Sequence, residues 1–224
     1  MMPAMTDREV PEGAVSTERL VFFSDAVVAI AMTLLALELP VPTGATNAEF
    51  LHTLGEHRGE YLAFGISFLV IATYWRAHHR LFAHIAAVSK ALMMYNLLWL
   101  FAQVVTPFAT EVIAGDGAFE ARFLFYVAVQ LLAGVGFQLI TWEARRSALL
   151  WPDTSPRAIT ESIHRSAAQS LGFLVSVPIA FFTHWAYACW AVFPHGYYLY
   201  TLARDRRGPR RTGTPDGVSG GTGT

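Results

Sequence analysis

From position 20 to position 39 the chain is apolar almost without interruption. At about 1.5 Å rise per residue such a run reaches about 30 Å, the hydrocarbon thickness of a bilayer. Five more runs of this kind follow at 61–75 (extending toward 82), 91–110, 123–142, 167–182 and 185–202. Each is predicted to be a membrane-spanning helix. The second is short before Arg76 and must use His78 and His79 at its interfacial end. The fifth and sixth are separated only by Thr183 and His184; one long bent segment is the competing reading, but two spans with a tight turn fit bilayer thickness better. Pro178 and Pro194 are placed to kink these last two spans.

Charge changes the picture by giving the spans a direction. Alternate connections, with both ends of the chain, hold Arg8, Arg19, Arg76, Arg80, Lys90, Arg145, Arg146, Arg157, Arg165, Arg204, Arg206, Arg207, Arg210 and Arg211. Of the 16 basic residues only Arg58 and Arg122 fall on the other side. The positive-inside rule then puts both termini in the cytoplasm of a multi-pass cell-membrane protein. The opposite loops carry Glu38, Glu49, Glu56, Glu60, Glu111, Asp116 and Glu120. The first run is too long for a signal-peptide core, and the segment before it is mixed in charge.

Composition agrees: hydrophobic residues make up 54% and charged residues 15%, so polar faces are scarce. A net charge of −1 offers no electrostatic case for a nucleic-acid partner. The single cysteine, Cys189, excludes an intrachain disulfide. Residues 1–15 read as a flexible N-terminus, 16–204 as one six-helix transmembrane domain without internal repeats, and the Gly/Thr/Pro/Arg-rich 205–224 as a disordered cytoplasmic tail. The fold class is therefore all-α and integral to the membrane.

Asp25 is the most informative residue, because a carboxylate inside a membrane helix costs about 3 kcal/mol on insertion scales unless partnered. At about 100° per residue, Phe23, Ala26, Ile30, Thr33, Leu34 and Leu37 share a stripe about 100° wide, and Asp25 falls on the far side of the helix. Arg19 lies on the stripe side and is not spaced to pair with Asp25 along the helix. Asp25 must look to other helices or another subunit, where Trp75, His78, His79 and Asn96 offer indole, imidazole and amide donors. Such contacts lock the first helix in place, or are ordinary interhelical bonds worth about 0.6 kcal/mol each. The stripe, read from periodicity alone, is packing surface or pore lining.

The motif Arg19-x-x-x-Phe23-Ser24-Asp25, followed by Ala29–Ile30–Ala31–Met32–Thr33–Leu34–Leu35–Ala36–Leu37–Glu38, resembles the lysosomal-type potassium channel family known as transmembrane protein 175. Tyr74–Trp75–Arg76–Ala77–His78–His79–Arg80–Leu81–Phe82, Asn96–Leu97–Leu98–Trp99–Leu100–Phe101 and Pro107–Phe108–Ala109–Thr110 extend the resemblance. It covers the first half of the chain well and the second half by hydropathy alone. The resemblance implies a homotetramer of single-repeat, six-span subunits, as in prokaryotic members, with the first helix of each lining a central pore. It makes Ile30, Leu34 and Leu37 hydrophobic gating rings and Thr33 a selectivity ring. It also places Arg19, Phe23, Ser24, Asp25, Trp75, His78 and Asn96 in the family motif and an interhelical network. Val28 and Met32 depart from the family's usual residues and lie off the stripe.

Other chemistry is weaker. Gly134–Val135–Gly136–Phe137–Gln138 matches the TVGYG potassium filter loosely, but it lies mid-span, where small residues serve close helix approach. His78, His79 and His84 lack the HExxH spacing or the carboxylates of a metal site and read as interfacial histidines. No nucleophile elbow, P-loop or dinucleotide fingerprint is present, so the chain is not read as an enzyme and needs no cofactor beyond permeant K⁺. The function the sequence supports is a potassium-preferring cation channel, with itself, membrane lipid and potassium ions as partners. The alternative is a proton-coupled secondary transporter or proton-permeable channel using Asp25 and the histidines as a relay, although a carrier wants inverted repeats that are not found.

Overall fold

The computed structural model of the chain describes residues 16–183, 186, 189 and 190. Within them the chain is helical: α1 Thr17–Leu37, α2 Asn47–Glu56, α3 Arg58–Phe82, α4 Lys90–Ala114, α5 Phe119–Arg146 and α6 Pro156–Ala180. The long helices α1, α3, α4, α5 and α6 cover the first five predicted spans, except that α1 stops at Leu37, short of 39, and α6 at Ala180, short of 182. Three of them, α1, α4 and α5, are long and apolar enough by length and composition to cross a membrane. Of the run 185–202 only residues 186, 189 and 190 are described; the rest of it, Pro194, and the segments 1–15 and 205–224 lie outside the described residues.

Local chemistry sets the ends. The Ser16 hydroxyl accepts the Arg19 N–H at 3.3 Å and starts α1, while Ser89 accepts the Leu92 N–H at 3.0 Å and starts α4. Pro156 opens α6, where its missing N–H costs nothing. Pro178 falls inside the last turns of α6.

Three further differences from the hydropathy reading have local causes. The helix over the second run begins at Arg58, upstream of 61, and ends at the expected Phe82; Glu60 in its first turn and His79 and Arg80 in its last complement the helix dipole. The α6 helix begins far upstream of 167, where a polar turn is held by an Arg157–Glu161 ion pair at 3.0 Å. The loop between the first two spans contains α2, started by a full capping box: Thr46 accepts the Glu49 N–H at 3.3 Å, and the Glu49 carboxylate accepts the Thr46 N–H at 3.3 Å.

The core forms where α4 and α5 lie together most extensively, with α6 against α5 and α1 against α3 and α4. Gly136 makes the α4–α5 approach possible: a Cβ there would stand 3.0–3.1 Å from the Cα, Cβ and N of Trp99. Gly136 and its neighbour Gly134 are thus buried in an unbroken helix, and the close-approach reading of this segment is the one the packing matches. Around this contact Trp99, Tyr74, Tyr126, Phe123, Phe137 and Phe173 are fully buried.

At the arginine-rich end the loops are tied together. Ala86 N–H donates to Leu149 C=O at 2.7 Å, Trp151 N–H to His84 C=O at 3.0 Å, and the Ser89 and Ser147 hydroxyls both donate to Glu143 at 2.9 Å. At the other end Arg122 donates to the carbonyls of Ile113, Gly115 and Gly117, which closes the turn between α4 and α5. Trp190 packs beside this core, stacked on Tyr126 at 4.8 Å with its indole N–H donated to Ser176 at 2.9 Å.

Candidate functional site: an anchored helix with one uncovered face

The α1 helix has two faces of opposite character. Leu20, Ser24, Val28, Ala31 and Leu35 recur at helical spacing and are buried against α3 and α4. On the other side Phe23, Ile30, Leu34 and Leu37 are 51%, 59%, 38% and 76% exposed. Thr33 is exposed among them, and its hydroxyl donates to the Ile30 carbonyl at 2.8 Å. That bond uses the hydroxyl proton and leaves the oxygen's acceptor capacity facing outward. Val28 is buried and Met32 half-buried, both off the uncovered stripe.

The buried face carries a directed chain of hydrogen bonds. Ser24 Oγ donates to Leu20 C=O at 2.8 Å and accepts from Asn96 Nδ2 at 2.9 Å. Asn96 Oδ1 then meets His78 Nε2 at 2.8 Å. With its amide nitrogen donating to Ser24, Asn96 presents only its oxygen to the ring, which assigns the His78 proton to Nε2. His78 Nδ1 has no partner among the described residues. The ring is stacked between Phe82 at 4.1 Å and Trp99 at 4.3 Å. His78 lies four residues before the end of α3 and is fully buried there, because it shares the α3 face with Tyr74, Leu81 and Phe82, which packs inward. His79 is exposed, with its ring 6.0 Å from Trp75, and His84 lies half-buried in the following loop.

Asp25 makes a separate contact: Trp75 Nε1 donates to its Oδ1 at 2.9 Å. Arg19 is exposed on the first turn, and its guanidinium enters none of these bonds. The structure thus gathers Ser24, Asp25, Trp75, His78 and Asn96 on the inner side of α1. Phe23, Ile30, Thr33, Leu34 and Leu37 lie on its uncovered side. Trp99 and Phe82, which clamp the imidazole, were not among the site residues read from sequence. Their signal was available in the spacing of Phe82 four residues after His78 and of Trp99 three after Asn96.

The two anchors are unequal. Trp75 is 38% exposed and Asp25 is half-buried, so Trp75→Phe removes one hydrogen bond without sealing the carboxylate in the core. The expected cost is below about 1 kcal/mol in thermal unfolding of the detergent-solubilised protein. A drop of several kcal/mol would make this contact, rather than the Ser24–Asn96–His78 chain, the principal anchor.

At the opposite end of α1, a cleft is lined by Glu38, Glu60, Glu111 and Asp116 together with Leu35, Phe64 and Pro107. The hydrogen bond from His57, at 3.1 Å, holds the Glu60 carboxyl below the usual glutamate range, so it is charged at neutral pH. These carboxylates concentrate cations near that end of the helix.

Residues 19–107 match the family described as endosomal/lysosomal potassium channel TMEM175. A Streptomyces collinus protein named potassium channel is 35% identical over 168 residues, covering 73% of this chain and 82% of that one. A Rattus norvegicus protein named endosomal/lysosomal proton channel TMEM175 is 33% identical over 93 residues, covering 38% of this chain and 19% of that one. Among solved structures, that of a lysosomal potassium-selective channel TMEM175 homologue from Chamaesiphon minutus matches with a TM-score of 0.67 and 25% identity, covering 84% of this chain and 97% of that one.

Proposed function

Because the chain belongs to the TMEM175 family of ion channels, we propose that it is a multi-pass cation channel of the cell membrane that prefers potassium. Four copies assemble around a central pore lined by α1, with both termini cytoplasmic. The observation that carries this reading is the uncovered stripe of α1. An apolar face holding Ile30, Leu34 and Leu37 around one hydroxyl residue, Thr33, stands opposite a face bonded to the rest of the subunit.

In a fourfold arrangement Ile30, Leu34 and Leu37 each form a hydrophobic ring. Such a ring, when narrow, excludes water and with it the hydrated ion. Thr33 supplies four oxygens whose protons are turned back to the Ile30 carbonyls. Those oxygens replace part of an ion's hydration shell, which is less costly for the more weakly hydrated K⁺ than for Na⁺. The Ser24–Asn96–His78 chain and the Asp25–Trp75 bond are positioning contacts that fix the rotation of α1, so that these residues face the axis.

Proton permeation through the same pore is the second reading, favoured by the relatives named proton channel. Current across a planar bilayer holding the purified protein, with K⁺ on one side and Na⁺ on the other, separates the two. Discrete steps reversing toward the K⁺ potential establish the potassium channel, whereas current that follows a pH gradient in the absence of K⁺ establishes proton conduction. Thr33→Ala is expected to lower the K⁺/Na⁺ permeability ratio about fivefold, equivalent to about 1 kcal/mol of differential ion binding. Leu37→Ala is expected to raise conductance by relieving the dry constriction. An unchanged reversal potential in Thr33→Ala would remove Thr33 from the filter.

A further inference from the structure

Arg76 and Arg80 stand one turn apart on the exposed face of α3, at the arginine-rich end of the bundle. Neither has an acidic partner among the described residues. The α6 helix brings a third guanidinium to the same level. Tyr74 and Ser170 meet beside Gly134 where α3 and α6 pass each other in opposite directions. From that contact Arg80 is about 9 Å further along α3, and Arg165 is about 7.5 Å away in the same direction on α6. Arg76 and Arg165 are the charges that repel Arg80. Arg165 has a partner in Glu161, but only at 3.9 Å, and Glu161 is already engaged by Arg157 at 3.0 Å.

An apolar strip leads away from this cluster. Leu62, Leu69 and Arg76 succeed one another at seven-residue intervals, which keeps them within about 20° per step on one face of α3. Leu62 and Leu69 are each 64% exposed. The surface therefore joins three under-neutralised guanidiniums at the membrane boundary to an uncovered apolar side chain, Leu69, about 10 Å deeper in the bilayer, with Leu62 about 21 Å away near the opposite boundary. A soluble anion uses the first part only; a phospholipid uses both.

We propose that Arg76, Arg80 and Arg165 bind the phosphate of an anionic phospholipid headgroup, with an acyl chain lying against Leu69. Guanidinium forks match a phosphate's oxygens in pairs, and an anion between them relieves their mutual repulsion. Basic pockets between helices at a membrane surface take lipid headgroups in this way.

The test is native mass spectrometry of the purified full chain in detergent, with phosphatidylglycerol or phosphatidylcholine added. Wild type should retain phosphatidylglycerol in preference to phosphatidylcholine. Arg80→Gln with Arg165→Gln should lose that retention about tenfold, the equivalent of about 1.4 kcal/mol. Arg145→Gln with Arg146→Gln, which removes the same charge from α5, should keep it. Equal loss in both pairs would mean general surface charge and overturn the site, as would displacement of the lipid by millimolar inorganic phosphate. Should the glutamine pair fail to purify, Arg80→Lys with Arg165→Lys decides. It keeps the charge without the forks, partial loss supports the site, and retention equal to wild type overturns it.

Discussion

Gly136→Val is expected to yield no stably folded protein, and Gly136→Ala to lower the unfolding midpoint by about 5 °C. The reason is what the new methyl meets. Its three nearest atoms, 3.0–3.1 Å away, are the Cα, Cβ and N of Trp99, which is main chain and its first side-chain atom, not a movable side-chain tip. The helices must separate by a few tenths of an ångström along their most extensive contact. Overpacking of this kind costs about 1–3 kcal/mol, and the better helix propensity of alanine returns at most about 1. Valine adds two methyls to the same site and exceeds the lower bound severalfold. Gly134→Ala should be milder, although its Cβ approaches the Ser170 hydroxyl even more closely, because a hydroxyl can rotate away. Gly65→Ala, with nothing within 4 Å of the new atom, should leave the midpoint unchanged or slightly raised. The yield of folded Gly136→Val and thermal unfolding of the three alanine variants in detergent check the series. Equal midpoints for Gly136→Ala and Gly65→Ala would show that α4 and α5 are not held at this distance.

Asn96→Ala is expected to destabilise by about 2–3 kcal/mol, well above the membrane average of about 0.6 kcal/mol for an interhelical hydrogen bond. The larger figure applies because the groups left behind have nowhere to turn. His78 Nδ1 already lacks a partner among the described residues, and losing Asn96 Oδ1 leaves Nε2 without one as well. His78 is fully buried, so bulk water does not reach Nε2 to replace the lost acceptor. An orphaned buried donor costs about 1–3 kcal/mol. Ser24 is less affected, because its hydroxyl still donates to Leu20. Replacing both partners by apolar groups, as Asn96→Leu with His78→Phe, should recover most of the loss, since no donor is then left unpaired. If Asn96→Ala unfolds at the wild-type midpoint, the chain of bonds does not hold α1 against α3 and α4, and its rotation must be fixed by apolar packing.

Hydropathy made the membrane character and the first five long helices legible, because hydrocarbon tolerates few polar residues and a run of apolar ones is hard to hide. Helix ends were less legible. The first turns of α3 and of α6 carry charge and lie where polarity is tolerated, so their hydropathy reads as loop although the chain is already helical. The capping box at Thr46 was a readable signal for α2 that the apolar runs overshadowed.

The candidate site divides in the same way. The sequence by itself determined that α1 has two faces and that Asp25 does not share one with Ile30, Leu34 and Leu37, because 3.6-residue periodicity is a local property. It also supplied the polar residues available to bind that helix. Only the tertiary structure decided the pairing: Asp25 to Trp75, and Ser24 through Asn96 to a fully buried His78. Which donor meets which acceptor depends on how α1, α3 and α4 are rotated and spaced, and that is set by contacts between residues far apart in the chain, such as Gly136 against Trp99. Local periodicity carries no information about that distance.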